Sequence, residues 1–291
     1  MYKDYCKYII SLLIFGFNGI VASYIALKSY EIVFWRTLIG SLFLLGIFAL
    51  SKEKLQGWQH RKHLLCLMIS GVALGASWIF LFEAYTKIGV SVATLAYYTG
   101  PVIVMVLSPL IFKEKMNSYK VLGFLAVVLG MLCLSQEAIS QGTISWGLLY
   151  GLMAAVMYAI MVIFNKKAAG IAGLENSMLQ LMAGFLTVFV YMGVKQGFSL
   201  VITPDNLLPV LVLGLINTGL GCYLYFSSIG KLPVQTVSTF GYLEPLSALM
   251  FSAIILGESL TPLQLLGAGL ILGGAAFGEV FRPNKMPVIH T

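Results

Sequence analysis

Charge is the scarcest feature of this 291-residue chain: Asp, Glu, Lys and Arg make up 10% of it, against about a quarter in an ordinary soluble domain. A soluble domain needs more charge to cover its surface, and a disordered chain needs more still. Histidine is nearly absent as well. His60 and His63 share one polar loop and His290 lies in the tail, so no HExxH or similar metal-ligand spacing arises. Cys6, Cys66, Cys133 and Cys222 are far apart and form no CxxC. They read as small apolar residues, which excludes a disulfide scaffold. There is no P-loop and no GxGxxG. An integral-membrane enzyme would need paired catalytic groups at one depth, and no clustered His, Cys or carboxylates supply them. No metal and no cofactor is expected.

What fills the chain instead is apolar sequence: 59% of the residues are hydrophobic, and the mean hydropathy is +0.92. That is the composition of a polytopic membrane protein, with the lipid bilayer as its first partner. The net charge of +7 does not indicate nucleic acid, because no basic cluster interleaves with aromatics. Loops on the cytoplasmic side of a membrane collect Lys and Arg in any case.

Apolar runs of spanning length occur at 8–27, 31–50, 64–85, 91–112, 119–136, 146–166, 174–194, 207–228, 233–256 and 262–281. Lys3 and Lys7 precede the first run, as in a signal peptide, but the run is too long and no small-residue cleavage site follows. Ten spans put both termini on one side. With the termini in the cytoplasm, Lys28, Lys87 and Lys195 are the three cations outside, Arg36 falls within a span, and the other fourteen of the 18 Lys and Arg residues are inside. This bias predicts a multi-pass protein of the cytoplasmic (inner) membrane with both termini cytoplasmic. Trp35 and Trp146 fall near outer ends, where aromatic belts sit.

The chain also repeats itself. At a shift of 144 residues, Pro101 meets Pro245, Ser108 meets Ser252, Ile111 meets Ile255 and Glu114 meets Glu258. Leu122, Gly123 and Gly130 meet Leu266, Gly267 and Gly274, and Ile88-Gly89 meets Ile229-Gly230 at a shift of 141. The unit holds five spans. Five is odd, so the second copy enters the membrane from the opposite face. The predicted fold is all-α, ten transmembrane helices in two inverted-topology five-helix repeats, 1–138 and 139–291, the second ending in a short cytoplasmic tail. Inverted repeats are a common construction of secondary transporters, in which two interchangeable half conformations give alternating access.

Two blocks close the halves: Pro101…Phe112-Lys113-Glu114-Lys115…Gly123…Gly130, and Tyr242-Leu243-Glu244-Pro245…Leu256-Gly257-Glu258-Ser259-Leu260…Gly267…Gly274. With Phe34-Trp35-Arg36, they resemble the EamA family of the drug/metabolite transporter superfamily over nearly the whole chain. The resemblance implies a transporter of ten helices without an ATPase. Such proteins commonly export amino acids, other metabolites or toxic organic compounds, and some relatives import.

Several residues are singled out. Glu114 and Glu258 sit where one helix ends and the next begins, beside Asn117-Ser118 and Thr261-Pro262 as caps, which reads as structural pinning. Pro101 and Pro245 fall inside their spans, either as fixed kinks or as flexible breaks lining a pathway. Glu244 falls mid-span opposite Gly100 of the other half. A carboxylate at that depth is expensive and should face a cavity, paired, protonated or in the substrate site. Arg36 and Glu83 come at similar depth in the outer leaflet, which suggests a gating ion pair. Arg36 could instead hold a substrate carboxylate or snorkel. The aromatics Trp78, Phe82, Tyr97, Tyr98, Tyr223, Phe226 and Tyr242 come from the third, fourth, eighth and ninth spans, whose equivalents line the central cavity in the family. Asn18, Asn165 and Asn217 add neutral polar groups inside spans.

The function expected is secondary active or facilitative transport of a small substrate, an amino acid or similar amphiphilic metabolite, by alternating access, as export. The alternative is an organic-cation, choline-like or drug transporter with a Glu and aromatic cage. Proton coupling through Glu244 or Glu83 and simple efflux down a gradient both stand open. A channel is less favoured, because of the two in-span prolines and the one-sided charges. Gly71/Gly75, Gly147/Gly151, Gly269/Gly273 and Gly274/Gly278 carry small-xxx-small spacing. Their use is internal packing, in a monomer or a weak dimer through the last span.

Overall fold

The apolar runs leave no water to satisfy backbone polar groups, so each must bond internally as a helix. The computed structural model describes residues 2–114, 116–134, 146–195, 202–255, 257 and 261–280, and every regular element among them is helical. The first half comprises α1 (Tyr2–Gly16), α2 (Asn18–Ser23), α3 (Ser29–Leu50), α4 (Arg61–Tyr97), α5 (Gly100–Phe112) and α6 (Ser118–Leu134). The second comprises α7 (Trp146–Lys167), α8 (Gly173–Lys195), α9 (Pro204–Val212), a π-helical stretch (Leu213–Leu220), α10 (Gly221–Ile229), α11 (Val234–Phe240), α12 (Leu243–Ile255) and α13 (Pro262–Val280). Eight segments among the described residues are long and apolar enough to cross a membrane. The fifth and tenth expected spans form shorter apolar helices, Ser118–Leu134 and Pro262–Gly278. The chain is a multi-pass membrane protein.

The expected boundaries shift in instructive places. The first helix begins at Tyr2 rather than residue 8, because its polar first turns find partners. Lys231 Nζ lies 3.6 Å from Asp4 Oδ1, and the Tyr8 hydroxyl donates to Val237 O at 2.7 Å. α4 carries two spans, Arg61–Ile88 and the start of Ala93–Phe112, and the chain reverses between them. Ser70 and Ser77 bond Met161 O and Ala154 O of α7, and Lys87 and Ile88 meet Gly147. Then Ala93 and Ala96 meet Gly151, and Gly100 meets Ala155. The register on α7 falls and then rises, so two antiparallel limbs pack on one helix.

Neither Pro101 nor Pro245 is a mid-helix kink. Pro101 occupies the first turn of α5, after the turn at Tyr98 and Thr99. Pro245 lies in the first turn of α12, after the turn at Gly241 and Tyr242. There a missing N–H costs nothing, because first-turn donors lack helical acceptors anyway. The prolines inside helices are Pro109 and Pro209.

Glycines set the closest approaches. Across α6 and α13, a Cβ on Gly123 would lie 2.5 Å from Gly274 O, and one on Gly130 2.7 Å from Gly267 O. Gly40 of α3 seats against Gly214 O and Thr218 of the π-helical stretch, and Gly184 of α8 against Gly71 and Gly75 of α4. Gly269 and Gly273, by contrast, face open space. Of the small-xxx-small pairs in the last helix, Gly274 makes the tight internal contact and Gly269/Gly273 do not.

The helix caps appear where the sequence puts them. Asn117 Oδ1 accepts from Lys120 N at 2.7 Å, and Thr261 and Gln264 cap each other reciprocally. Glu114 differs. Its carboxylate reaches across to accept from Val234 N at 2.8 Å and Gln235 N at 3.3 Å, capping α11 of the other half instead of its own next helix. Glu258 lies outside the described residues.

Candidate functional site

Packing these apolar helices around polar residues that cannot face lipid leaves a central cavity of about 600 Å³. It runs from mid-protein toward the end opposite Tyr2. α1 and α2 contribute Phe15 and Asn18, and α3 contributes Arg36. The two limbs of α4 contribute Trp78, Phe82 and Tyr85, then Thr94 and Tyr97, and Tyr98 follows. α7 gives Tyr158 and Met161, α10 gives Cys222, Tyr225 and Phe226, and α12 gives Glu244.

Opposite charges meet in this one space. Arg36 is 7% exposed, with its guanidinium carbon 4.8 Å from the centre of the Trp78 ring and its Nε donating to Thr218 Oγ1 at 3.0 Å. Glu244 sits at the start of α12. No ion pair within 4 Å joins the two among the described residues. Asn18 Oδ1 is buried and has no hydrogen-bond partner among the described residues. Nine aromatic side chains share the remaining wall with aliphatic and small residues. Tyr97 packs edge-on to Tyr158 at 5.6 Å, and the Tyr158 and Tyr225 hydroxyls lie 3.3 Å apart. A cation, an anion acceptor and an aromatic box are what an amphiphilic zwitterion requires.

Toward the Tyr2 end the cavity is closed. The Tyr8–Val237 bond, the Tyr5–Phe240 ring contact at 6.1 Å and a bond from Lys166 Nζ to Leu232 O join α1, α7 and the α10–α11 region.

Eight of the expected residues line the cavity: Asn18, Arg36, Trp78, Phe82, Tyr97, Tyr98, Phe226 and Glu244. Six do not. Tyr242 is buried and donates to Tyr98 O at 2.8 Å, and Tyr223 lies beneath Lys7 Nζ at 5.4 Å. Asn165 donates to Asn176 Oδ1 at 3.0 Å and Gln180 Oε1 at 3.3 Å in a buried amide knot between α7 and α8. Pro101 and Pro245 start helices beside it. Asn217 likewise turns away, donating to Ile14 O at 2.9 Å.

The expected Arg36–Glu83 pair is not formed. Glu83 accepts from Tyr191 Oη at 2.6 Å and pairs with Lys195, both on α8. The two side chains face different ways: α8 covers the Glu83 face of α4, while Arg36 faces inward to Trp78 and Thr218. Tyr85, Tyr158 and Tyr225 are not among the residues the sequence pointed to, and Cys222, read from the sequence as a small apolar residue, also lines the cavity. Tyr85 follows Trp78 by seven residues and Phe82 by three, so helical spacing carried that signal. Tyr158 lies on α7, outside the third, fourth, eighth and ninth spans that supply the expected aromatics.

The description of a known family matches this chain twice. The EamA-like transporter family model aligns with residues 4–136 and again with 145–277. The uncharacterized transporter YxxF of Bacillus subtilis (strain 168) is 28% identical over 289 residues, covering 97% of this chain and 91% of its own. The threonine/homoserine exporter RhtA of Escherichia coli (strain K12) is 26% identical over 262 residues, covering 86% and 81%. A probable amino-acid metabolite efflux pump of Salmonella typhimurium (strain LT2) is 27% identical over 208 residues, covering 67% and 69%. One crystal structure superposes with a TM-score of 0.81 at 17% identity, over 96% of this chain and 99% of that one, a likeness of fold.

Proposed function

Because the chain belongs to the EamA-like transporter family, we propose that it exports a small amphiphilic metabolite, an amino acid or similar zwitterion, through the central cavity. The observation that carries this reading is the joint lining of one space by Arg36 and Glu244 without an ion pair between them. A zwitterion supplies both missing counter-charges at once. The printed names of the relatives from Escherichia coli and Salmonella point the same way on substrate and direction.

Ten membrane helices in two inverted repeats, 1–138 and 139–291, give the mechanism. Reciprocal contacts support it. Gly123 touches Gly274, and Gly267 touches Gly130. Adding 144 to the first member of one pair gives a member of the other. Tyr98 and Tyr242, also 144 apart, bond directly. Contacts that exchange under the repeat shift are those expected at a two-fold axis, and the double family match supports the same division. Alternating access is then rocking of the halves about that axis. With the Tyr2 end cytoplasmic in the inner membrane, the cavity faces outward in this state. Glu244 is the proposed coupling group, exchanging a proton for substrate. Arg36, Trp78, Phe82, Tyr97, Tyr98, Phe226 and Asn18 contact the solute. Tyr223, Tyr242, Asn165, Glu83, Pro101 and Pro245 act from outside the cavity wall.

The alternative is an organic cation held by Glu244 and the aromatics, with Arg36 as a structural cation. Counterflow in proteoliposomes with amino acids and with choline separates the two. The zwitterion reading expects amino-acid counterflow that loses its pH dependence in Glu244→Gln. Choline counterflow abolished by Glu244→Gln, with no amino-acid exchange, would overturn it.

A further inference from the structure

The helix facing Arg36 departs from α geometry at the point of contact. Residues Leu213–Leu220 form a π-helical stretch, a rare element that recurs at functional sites. Within it the Thr218 hydroxyl donates its single proton to Leu213 O, five residues back, at 2.8 Å. The lone pairs are therefore what meet Arg36 Nε at 3.0 Å. Gly40, one turn along α3 from Arg36, lets the two backbones close on Gly214 O and the Thr218 methyl. The guanidinium carbon also lies over the Trp78 ring, 4.8 Å from its centre. The Arg36 head is thus held at two points, by the Thr218 oxygen and by the Trp78 ring.

The terminal nitrogens are left over. Nε is the atom of Arg36 that is hydrogen-bonded among the described residues, and no carboxylate lies within 4 Å. Glu244 shares the cavity but does not touch the guanidinium, and a buried cation without a directly paired carboxylate is costly. Two parallel N–H groups match a carboxylate in bidentate geometry, which neither an ammonium nor a neutral amide reproduces. Resting on the transport reading above, the geometry points to Thr218 as the positioning residue that makes Arg36 a carboxylate clamp and gives the cavity its selectivity for acids over their neutral isosteres.

The test compares phenylacetate with phenylacetamide, near-isosteric probes that differ in the charge. Dissociation constants are taken from thermal stabilisation of the purified full-length protein. Wild type should bind phenylacetate more tightly. Thr218→Ser keeps the oxygen and should keep that preference. Thr218→Val keeps the shape and should reduce the preference by about tenfold, the loss of a hydrogen bond to a charged group. Arg36→Gln should abolish it. General destabilisation would weaken both probes alike and leave their ratio unchanged, so the ratio reports positioning. No preference in wild type, or an undiminished preference in Thr218→Val, overturns the proposal. If the ratios behave as expected while amino-acid counterflow is flat, the clamp stands and the amino-acid reading falls. If amino acids exchange while the ratios do not change, the clamp alone falls.

Discussion

Replacing Gly123 by Ala should destabilise the protein out of proportion to the one methyl added. The new Cβ would sit 2.5 Å from Gly274 O and 2.9 Å from Gly278 N, both backbone atoms of the facing helix. No rotamer change relieves such a contact, so α6 and α13 must move apart and lose dispersion along their whole crossing. Overpacking of this kind costs about 1–3 kcal/mol. Gly130→Ala, whose Cβ would be 2.7 Å from Gly267 O, should cost a similar amount. The internal control lies on α13 itself. A Cβ at Gly269 or Gly273 meets nothing within 4 Å, so alanine there should be neutral, or stabilise by up to about 1 kcal/mol through helix propensity. Gly123→Ala with Gly274→Ala should cost less than the two singly, because both open the same crossing. Equilibrium unfolding in mixed micelles gives the free energies. Equal stabilities for Gly123→Ala and Gly269→Ala, within a few tenths of a kcal/mol, would refute this account of the crossing.

Other expectations follow from particular bonds. Glu114→Ala strips the acceptor from Val234 N and Gln235 N, and both residues are buried. It should cost about 1–3 kcal/mol of stability and raise hydrogen exchange of those amides, and unchanged exchange would disprove the capping role. Tyr8→Phe removes the bond to Val237 O. It should cost about 1 kcal/mol and raise proteolytic cleavage at the Tyr2 end, and a cleavage rate equal to wild type would refute it. Lys195→Met breaks the pair with Glu83, yet the Lys195 side chain is 45% exposed. It should change stability by less than about 1 kcal/mol, and a larger loss by the same unfolding assay would show the pair to be more than a surface contact.

How much of this was legible beforehand depends on what each feature obeys. Helix positions follow from one-dimensional hydropathy, so Ser29–Leu50, Trp146–Lys167 and Gly173–Lys195 match the apolar runs within three residues at each end. Breaks inside the runs follow from tertiary packing. Pro101 and Pro245 marked the breaks, but whether each bent a helix or started one was not written in the apolar pattern. The positions of Arg36 and Glu83 within apolar runs were readable, and the direction each side chain faces was not. Arg36 turned inward to Trp78 and Thr218, and Glu83 turned sideways to Tyr191 and Lys195. Glu244 was readable as a cavity residue because carboxylates tolerate lipid so poorly. Tyr158 was not, because tyrosine is unremarkable in an apolar helix. The reach of Glu114 across to α11 needed the fold itself.

The central claim is that one cavity is exposed in turn to each face of the membrane. The most direct test places a cysteine at Ala248, which lines the cavity one turn from Glu244, in a variant lacking the four native cysteines. Membrane-impermeant thiol reagents are then applied from one side at a time in oriented proteoliposomes. The account expects Ala248→Cys to react from both sides, with a transported amino acid raising one rate as it lowers the other. Reaction from one face alone, at a rate that the solute leaves unchanged, would contradict it.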